Sequence, residues 1–241
     1  MKIQLTIILV LLILVFSCKK EEKEDDNTNN TPVIPALPTN VPDGDFEQWT
    51  LSAQSTYEEP SSGWWTSLNV LKNLGGPESI KKTTDAHTGN YAAKLITSQW
   101  GELIIPGILL SGIFDFNAPN MIIEGKPFTE KPLKIKGYYK YTSVNGDSAA
   151  IYANITKYNL QTSRRDTIAD ARLAVLNTVQ EYTMFDLDFD YFITGQTPDS
   201  ISIVFASSAD GGNFNGAIGS TLYIDDVSLV LQNGSKLKIL R

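Results

Sequence analysis

Of the 241 residues one is cysteine and one is histidine, and each scarcity removes a class of chemistry. Cys18 alone offers no internal disulfide, no thiolate metal site and no cysteine nucleophile to the part that folds. His87 alone makes a Ser-His-Asp triad or a histidine-rich metal centre a poor reading. Positive charge is also short: 20 Lys and Arg stand against 27 Asp and Glu, a formal net charge of −7. That balance argues against nucleic acid or an anionic membrane surface as partner, and fits neutral ligands or cations. Long apolar runs are missing as well. Residues 7–16 form an apolar run too short to cross a bilayer as a helix.

What is present begins with that run. It follows a single Lys at position 2 and ends Val15-Phe16-Ser17-Cys18, so residues 1–17 read as a sorting segment. The ending resembles a bacterial lipobox, which implies that Cys18 is lipidated and becomes the mature N-terminus. An ordinary signal peptide with an incidental cysteine is the alternative. Residues 18–42 read as a disordered tether, charged over 19–26, polar over 27–31, and stiffened by Pro32, Pro35, Pro38 and Pro42. Acids this close behind a lipobox resemble the surface-export signal of Bacteroidetes-type lipoproteins. That implies a lipid-anchored protein of the outer membrane on the cell surface; a periplasm-facing anchor and a merely solvated linker are the alternatives.

Residues 43–231, about 190 residues, are enough for one domain with a core of its own, and 232–241 form a short tail. Short strand-like runs separated by turn residues cover this part: 91–97, 108–114, 133–142, 149–158, 165–173, 182–189, 201–207 and 221–231. The pattern predicts an all-β fold, a β-sandwich of the jelly-roll kind. Asn145-Gly146 predicts a hairpin pairing 134–141 with 149–157. In the closing strand, alternation puts Val227, Leu229 and Leu231 on one face, and Ile224, Ser228 and Val230 on the other. The acids Asp225 and Asp226 interrupt it, and a second acidic stretch, Asp43 to Glu47, opens the domain. First and last strands are therefore expected to be neighbours that share these acids.

Gly44-Asp45-Phe46-Glu47, Ala86-His87-Thr88-Gly89-Asn90-Tyr91-Ala92 and Tyr223-Ile224-Asp225-Asp226-Val227 resemble galactose-binding-like jelly rolls, a fold that many carbohydrate-binding modules have. More narrowly, Trp64 with Asn69, Thr83-Thr84-Asp85, Gly107 with Gly112, Lys126-Pro127-Phe128, Gly137 to Tyr141 and Gly146-Asp147 follow an order similar to the putative carbohydrate metabolism domain of Bacteroidetes lipoproteins. The likeness spans about 43–231 and implies glycan-related biology. It also implies a structural calcium, held by Glu47, a carbonyl near Thr88 or Gly89, and Asp225, with Asp226 or Asp45 as alternatives. Oxygen donors of this kind suit calcium. The other account of the same acids is that they cap turns by accepting backbone N–H groups.

Sugars pack their C–H faces on indole rings, while polar neighbours take the hydroxyls. Trp64, Trp65 and Trp100 are accordingly candidate platforms, with Asn69, Asp85 and Lys140 as candidate hydrogen-bonding partners and core positions as the alternative for each tryptophan. The expected partners are an oligosaccharide or polysaccharide and an outer-membrane glycan-uptake complex, with the membrane reached through the lipid anchor only. A glycoside hydrolase using an Asp/Glu pair is the rival, since such enzymes need two carboxylates across a cleft, and no pair stands out. An adhesin or scaffold subunit with an exposed apolar patch is the third reading.

Overall fold

The computed structural model describes residues 38–53, 56–115 and 122–231. Residues 1–37, on which the expected sorting segment, lipidated Cys18 and most of the expected tether fall, and residues 232–241 lie outside the described residues. In chain order, β1 (Pro38–Asn40), β2 (Trp49–Leu51), β3 (Glu58–Pro60) and β4 (Trp65–Ser67) lead into a 3-10 helix, Leu68–Leu74. Next come β5 (Ile80–Thr83), β6 (Ala92–Ile96), β7 (Ser98–Trp100), β8 (Leu103–Ile105) and β9 (Ile108–Ser111). The short β10 (Ile113–Asp115), β11 (Ile122–Glu124) and β12 (Lys126–Pro127) precede the long strands β13 (Pro132–Thr142), β14 (Ala149–Asn159), β15 (Arg164–Val175) and β16 (Val179–Asp188). Last are β17 (Asp190–Tyr191), β18 (Ser200–Ala206) and β19 (Thr221–Leu231).

Two antiparallel sheets stack into a jelly-roll β-sandwich. The first runs β16-β13-β19-β6-β5 with β1 beside β19; the second runs β17-β15-β14-β18-β9-β4 with β12 beside β18. Inward residues of both sheets, among them Leu95, Ile135, Tyr141, Phe185 and Leu222 from the first and Leu109, Ile151, Ile155, Ile203 and Phe205 from the second, form the main core. Each contributes about 1.5–3 kcal/mol by leaving water. A smaller apolar cluster lies on the outward side of the second sheet. There Leu68, Ile105, Ile108, Leu110 and Ala206 pack with Trp100 and Phe114, covering one end of that face and leaving the other end open.

Three expectations need correction. Residues 38–42 belong to the folded domain and not to the tether: β1 pairs with β19, Val41 is buried, and the Pro42 carbonyl accepts from Trp65 Nε1 at 2.9 Å. The Asn145-Gly146 turn forms, both residues having positive φ and the Asp147 N–H reaching the Val144 carbonyl at 2.9 Å. It does not make a hairpin. β13 pairs with β16 and β19 while β14 pairs with β15 and β18, so the turn carries the chain from one sheet to the other. Ile224 and Val227 both face the core, although strict alternation separates them. A bulge between them, with Asp226 at φ 51, shifts the phase by one residue.

Candidate functional site

The acids singled out from the sequence do meet, around the turn 87–91. Asp225 is fully buried; its Oδ2 accepts from the His87 and Thr88 N–H groups at 2.8 and 3.2 Å, and its Oδ1 from the Asp226 N–H at 2.8 Å. Glu47 reaches the same turn from the other strand end. Its Oε1 accepts from the Asn90 and Tyr91 N–H groups at 2.8 Å each, and its Oε2 from Asn90 Nδ2 at 3.1 Å. Gly89 between them has φ 67, and a Cβ there would sit 2.4 Å from Glu47 Oε1, so the carboxylate packs directly on its backbone. Asp226 accepts from Thr88 Oγ1 and lies 2.7 Å from His87 Nδ1, whose ring stacks on Tyr138 with centroids 3.5 Å apart. Asp45 is exposed, and its Oδ1 accepts from the Glu47 N–H at 3.5 Å.

These donors do not fit a calcium ion. The turn offers the carboxylates its N–H groups where a cation needs carbonyl oxygens, and among the described residues no group of three acidic or soft side chains is placed to hold a metal. The geometry is the turn-capping alternative. It leaves a recognisable electrostatic mark. Burial, and then the charge of Asp226, push the Asp225 carboxyl up to about 6 against the pull of its N–H donors. For Glu47 burial pushes upward too, but the N–H groups of Tyr91 and Asn90 outweigh it and hold the carboxyl below its usual range.

The predicted glycan residues scatter. Trp64 and Trp65 are 6% and 2% exposed and lie in the main core, where Trp65 packs on Phe46 and Phe205 with centroids 5.5 and 5.6 Å away. Neither presents a face to a ligand, because the edge strand β4 and the loop before it turn both rings inward. Asn69 is buried and serves the backbone, its amide bonding both the N–H and the carbonyl of Ile80. Asp85 and Lys140 do meet, as an ion pair on the outward face of the first sheet, with the Lys140 ammonium between the rings of Tyr182 and Tyr223. Trp100 stands on the β7–β8 hairpin against the smaller apolar cluster, far in the topology from that pair.

A different constellation occupies the open end of the second sheet. Along β14 the residues Tyr152, Asn154, Thr156 and Tyr158 point outward, since Ile151, Ala153 and Ile155 are buried on the other side. Cross-strand pairing builds rows: Arg172, Tyr152 and Val204; Asp170, Asn154 and Ser202; Thr167, Thr156 and Ser200. A cleft of about 510 Å³ lies over the lower rows, lined by Asn154, Thr156, Tyr158, Ser163, Arg164, Arg165, Thr167 and Ser202, and closed on one side by Glu124 and Gly125. Gly125 must be glycine for this wall to approach, because a Cβ would lie 2.5 Å from the hydroxyls of Ser200 and Ser202. Asp199 holds the far wall: it accepts from the Tyr158 N–H at 3.0 Å and from Arg165 Nη1 at 2.6 Å. Inside the cleft Asn154 Oδ1 is buried and has no hydrogen-bond partner, a state that Trp64 Nε1 and Ser79 Oγ share elsewhere among the described residues. A buried acceptor left unpaired costs about 1–3 kcal/mol, so it calls for an explanation.

A second cavity, of about 540 Å³, lies at the loop end between Asn145-Gly146-Asp147 and residues 215–218. Its carboxylate is already satisfied: Asp147 accepts from the Ser148 and Ala217 N–H groups and the Ser208 hydroxyl. Sequence reasoning missed the cleft residues. The signal that was available is that four successive outward positions of β14 read Tyr-Asn-Thr-Tyr, aromatic or uncharged polar, where the outward face of β16 carries Asp186 and Asp188 paired with lysines.

With fold and cleft in view, the comparisons place the chain. Residues 45–230 match the family described as "Putative carbohydrate metabolism domain", and the chain belongs to that family. Among solved structures it is similar to one described as a putative glycoside hydrolase from Bacteroides thetaiotaomicron, with 25% identity and a TM-score of 0.65 over 83% of this chain and 72% of that one. Another, described as a putative glycoside hydrolase from Bacteroides vulgatus, has 28% identity and a TM-score of 0.65 over 81% of this chain and 99% of that one. A comparison with curated proteins found no match.

Proposed function

We propose that the cleft over β14 and β18 binds a neutral oligosaccharide, and that the protein captures glycans as a lipid-anchored protein of the cell surface. The observation that carries the binding reading is Asn154 Oδ1, the one of three unpaired buried side-chain atoms among the described residues that lines this cleft. A sugar hydroxyl supplies the missing donor, Tyr158 supplies an amphipathic ring, and the hydroxyls of Thr156 and Ser202 take further polar contacts. The volume suits a few sugar units, falling within the roughly 300–1,000 Å³ common for ligand sites. The family supports a role in carbohydrate metabolism, and Val15-Phe16-Ser17-Cys18 with the acidic run behind it supports the anchor.

The test uses Asn154→Leu, which removes the orphaned acceptor at nearly constant volume. If the acceptor serves a ligand, the variant melts at the same temperature or higher and loses glycan binding at least tenfold on a broad glycan array. Unchanged binding sinks the reading. For the anchor, Cys18→Ala releases the protein from the membrane fraction; retention there under alkaline wash argues against lipidation.

The names of the two Bacteroides relatives favour a second reading, glycoside hydrolysis. Glu124 is the single carboxylate among the residues lining the cleft, and the nearby Asp170 is buried and paired with Arg172. Asp199 on the far wall is likewise paired, with Arg165, so among the described residues no second carboxylate beside the cleft is free of an arginine for a two-carboxylate mechanism. Release of reducing ends over time, stopped by Glu124→Gln, would put the enzyme first.

A further inference from the structure

We infer that a linear glycan chain lies along β14, running from the cleft, which holds Tyr158 and Arg165, to Tyr152 and Arg172 beyond it, and is gripped at its two ends by these matching tyrosine–arginine clamps. This rests on the glycan-binding reading above and adds the shape of the ligand to it.

The two clamps have the same composition. At one end of the outward row Tyr158 carries the Arg165 guanidinium 6.0 Å from its ring centroid, and Asp199 fixes that guanidinium. Six residues back along the same strand Tyr152 carries Arg172 at 5.6 Å, and the buried Asp170 fixes it. In each case an aromatic ring on β14 faces an arginine directly across the strand pair, Tyr158 opposite Arg165 and Tyr152 opposite Arg172. A guanidinium has five N–H donors and one carboxylate engages at most two of them, so each clamp keeps donors for sugar hydroxyls beside an aromatic face. Between the clamps the outward positions of the described strands are Asn154 and Thr156 on β14, Asp170 and Thr167 on β15, and Ser202 and Ser200 on β18.

At about 3.4 Å per residue the clamps are roughly 20 Å apart. One sugar fills a single clamp; several linked sugars are needed to reach both. A ligand recognised by its terminal sugar alone would leave Tyr152 and Arg172 without a role in binding. Asp170 pairs with Arg172, while Asp199 is shared by Arg165 and Lys157.

Titration calorimetry on the full chain in mild detergent, with β-1,4-linked gluco-, xylo-, manno- and galacto-oligosaccharides of one to six units, tests this. Affinity is expected to climb with each added unit of the recognised sugar until the span is covered, and then to level off. Tyr152→Ala is expected to weaken the longest oligomer at least tenfold while leaving the shortest binding oligomer unchanged; Tyr158→Ala weakens every length. Arg172→Lys keeps the Asp170 ion pair and loses the planar stack, so it reproduces part of the Tyr152 loss in a protein whose melting curve is unaltered. Affinity independent of length, or a Tyr152→Ala variant indistinguishable from the parent on the longest oligomer, overturns the chain while Asn154→Leu still separates binder from non-binder. Absence of binding to every oligomer overturns the chain and the glycan reading together.

Discussion

The turn at 87–91 and the cleft over β14 are both rich in polar side chains, yet they differ in one respect. At the turn each acid that draws the eye in the sequence is satisfied: Asp225 by three N–H groups, Glu47 by two and an amide. In the cleft an acceptor is buried with nothing to accept from. Buried polar groups that find partners within the chain hold the fold together; Asn154 Oδ1 lacks one where a cleft adjoins it, whereas Trp64 Nε1 and Ser79 Oγ lack one in buried residues. Acidity drew the reading to the turn. Unsatisfied hydrogen bonding points to the cleft.

The largest expected effect follows from the first half of that contrast. Asp225→Ala leaves the N–H groups of His87, Thr88 and Asp226 without an acceptor in a fully buried position, and destabilises the domain by about 3–5 kcal/mol in urea unfolding. Glycan binding by the remaining folded molecules is unchanged, because the turn belongs to the first sheet and the cleft to the second. A loss below about 1 kcal/mol, or a loss of affinity without a loss of stability, would break the contrast.

How far the chain was readable follows the same division. The bounds of β19 and the approximate places of β6, β13, β14, β15, β16 and β18 were legible, because alternation and turn residues are local signals. Partnering was not. The Asn145-Gly146 turn says that the chain reverses, and nothing about whether the next strand joins the same sheet. Trp64 and Trp65 look like ligand platforms in sequence because they follow a Ser-Ser-Gly loop; only the closing of β4 onto β9 shows that both rings turn inward. Asn154 was invisible for a related reason. A lone asparagine on the polar side of a strand reads as solvated, and the Glu124-Gly125 wall that lines the same cleft comes from a distant part of the chain.

A smaller effect sets the two acids of the turn against each other. Asp225 has its carboxyl raised from 3.8 to about 6, so between those values the folded protein holds a proton that the unfolded chain has lost. Its contribution is complete below about pH 4 and is lost as pH rises to 6, on the order of 2–3 kcal/mol at most. Glu47 has the opposite sign: its carboxyl is lowered, so its contribution is present above pH 4.5 and is lost as pH falls below that. Asp225→Asn therefore removes the decline between pH 4 and 6 and keeps the acid-side loss due to Glu47. Stability curves of parent and variant that run parallel from pH 4 to 6 would show that Asp225 is not a strained, buried carboxyl.

The smallest expected effect is none at all, and it bears most directly on how the turn is held. A cation that bound Glu47 and Asp225 only in the folded state would stabilise it by mass action, by about 2.7 kcal/mol at a hundredfold excess over its dissociation constant. Chelation would then lower the melting temperature by several degrees. The N–H groups of His87, Thr88, Asn90 and Tyr91 already hold the oxygens that such an ion would need, and moving them would unseat the backbone around Gly89. The melting temperature is accordingly expected to be the same in excess EDTA and in millimolar calcium. A drop on chelation that Asp225→Asn abolishes would mean that the turn flips its peptides to offer carbonyls to an ion. The satisfied region of the comparison would then be a second ligand site.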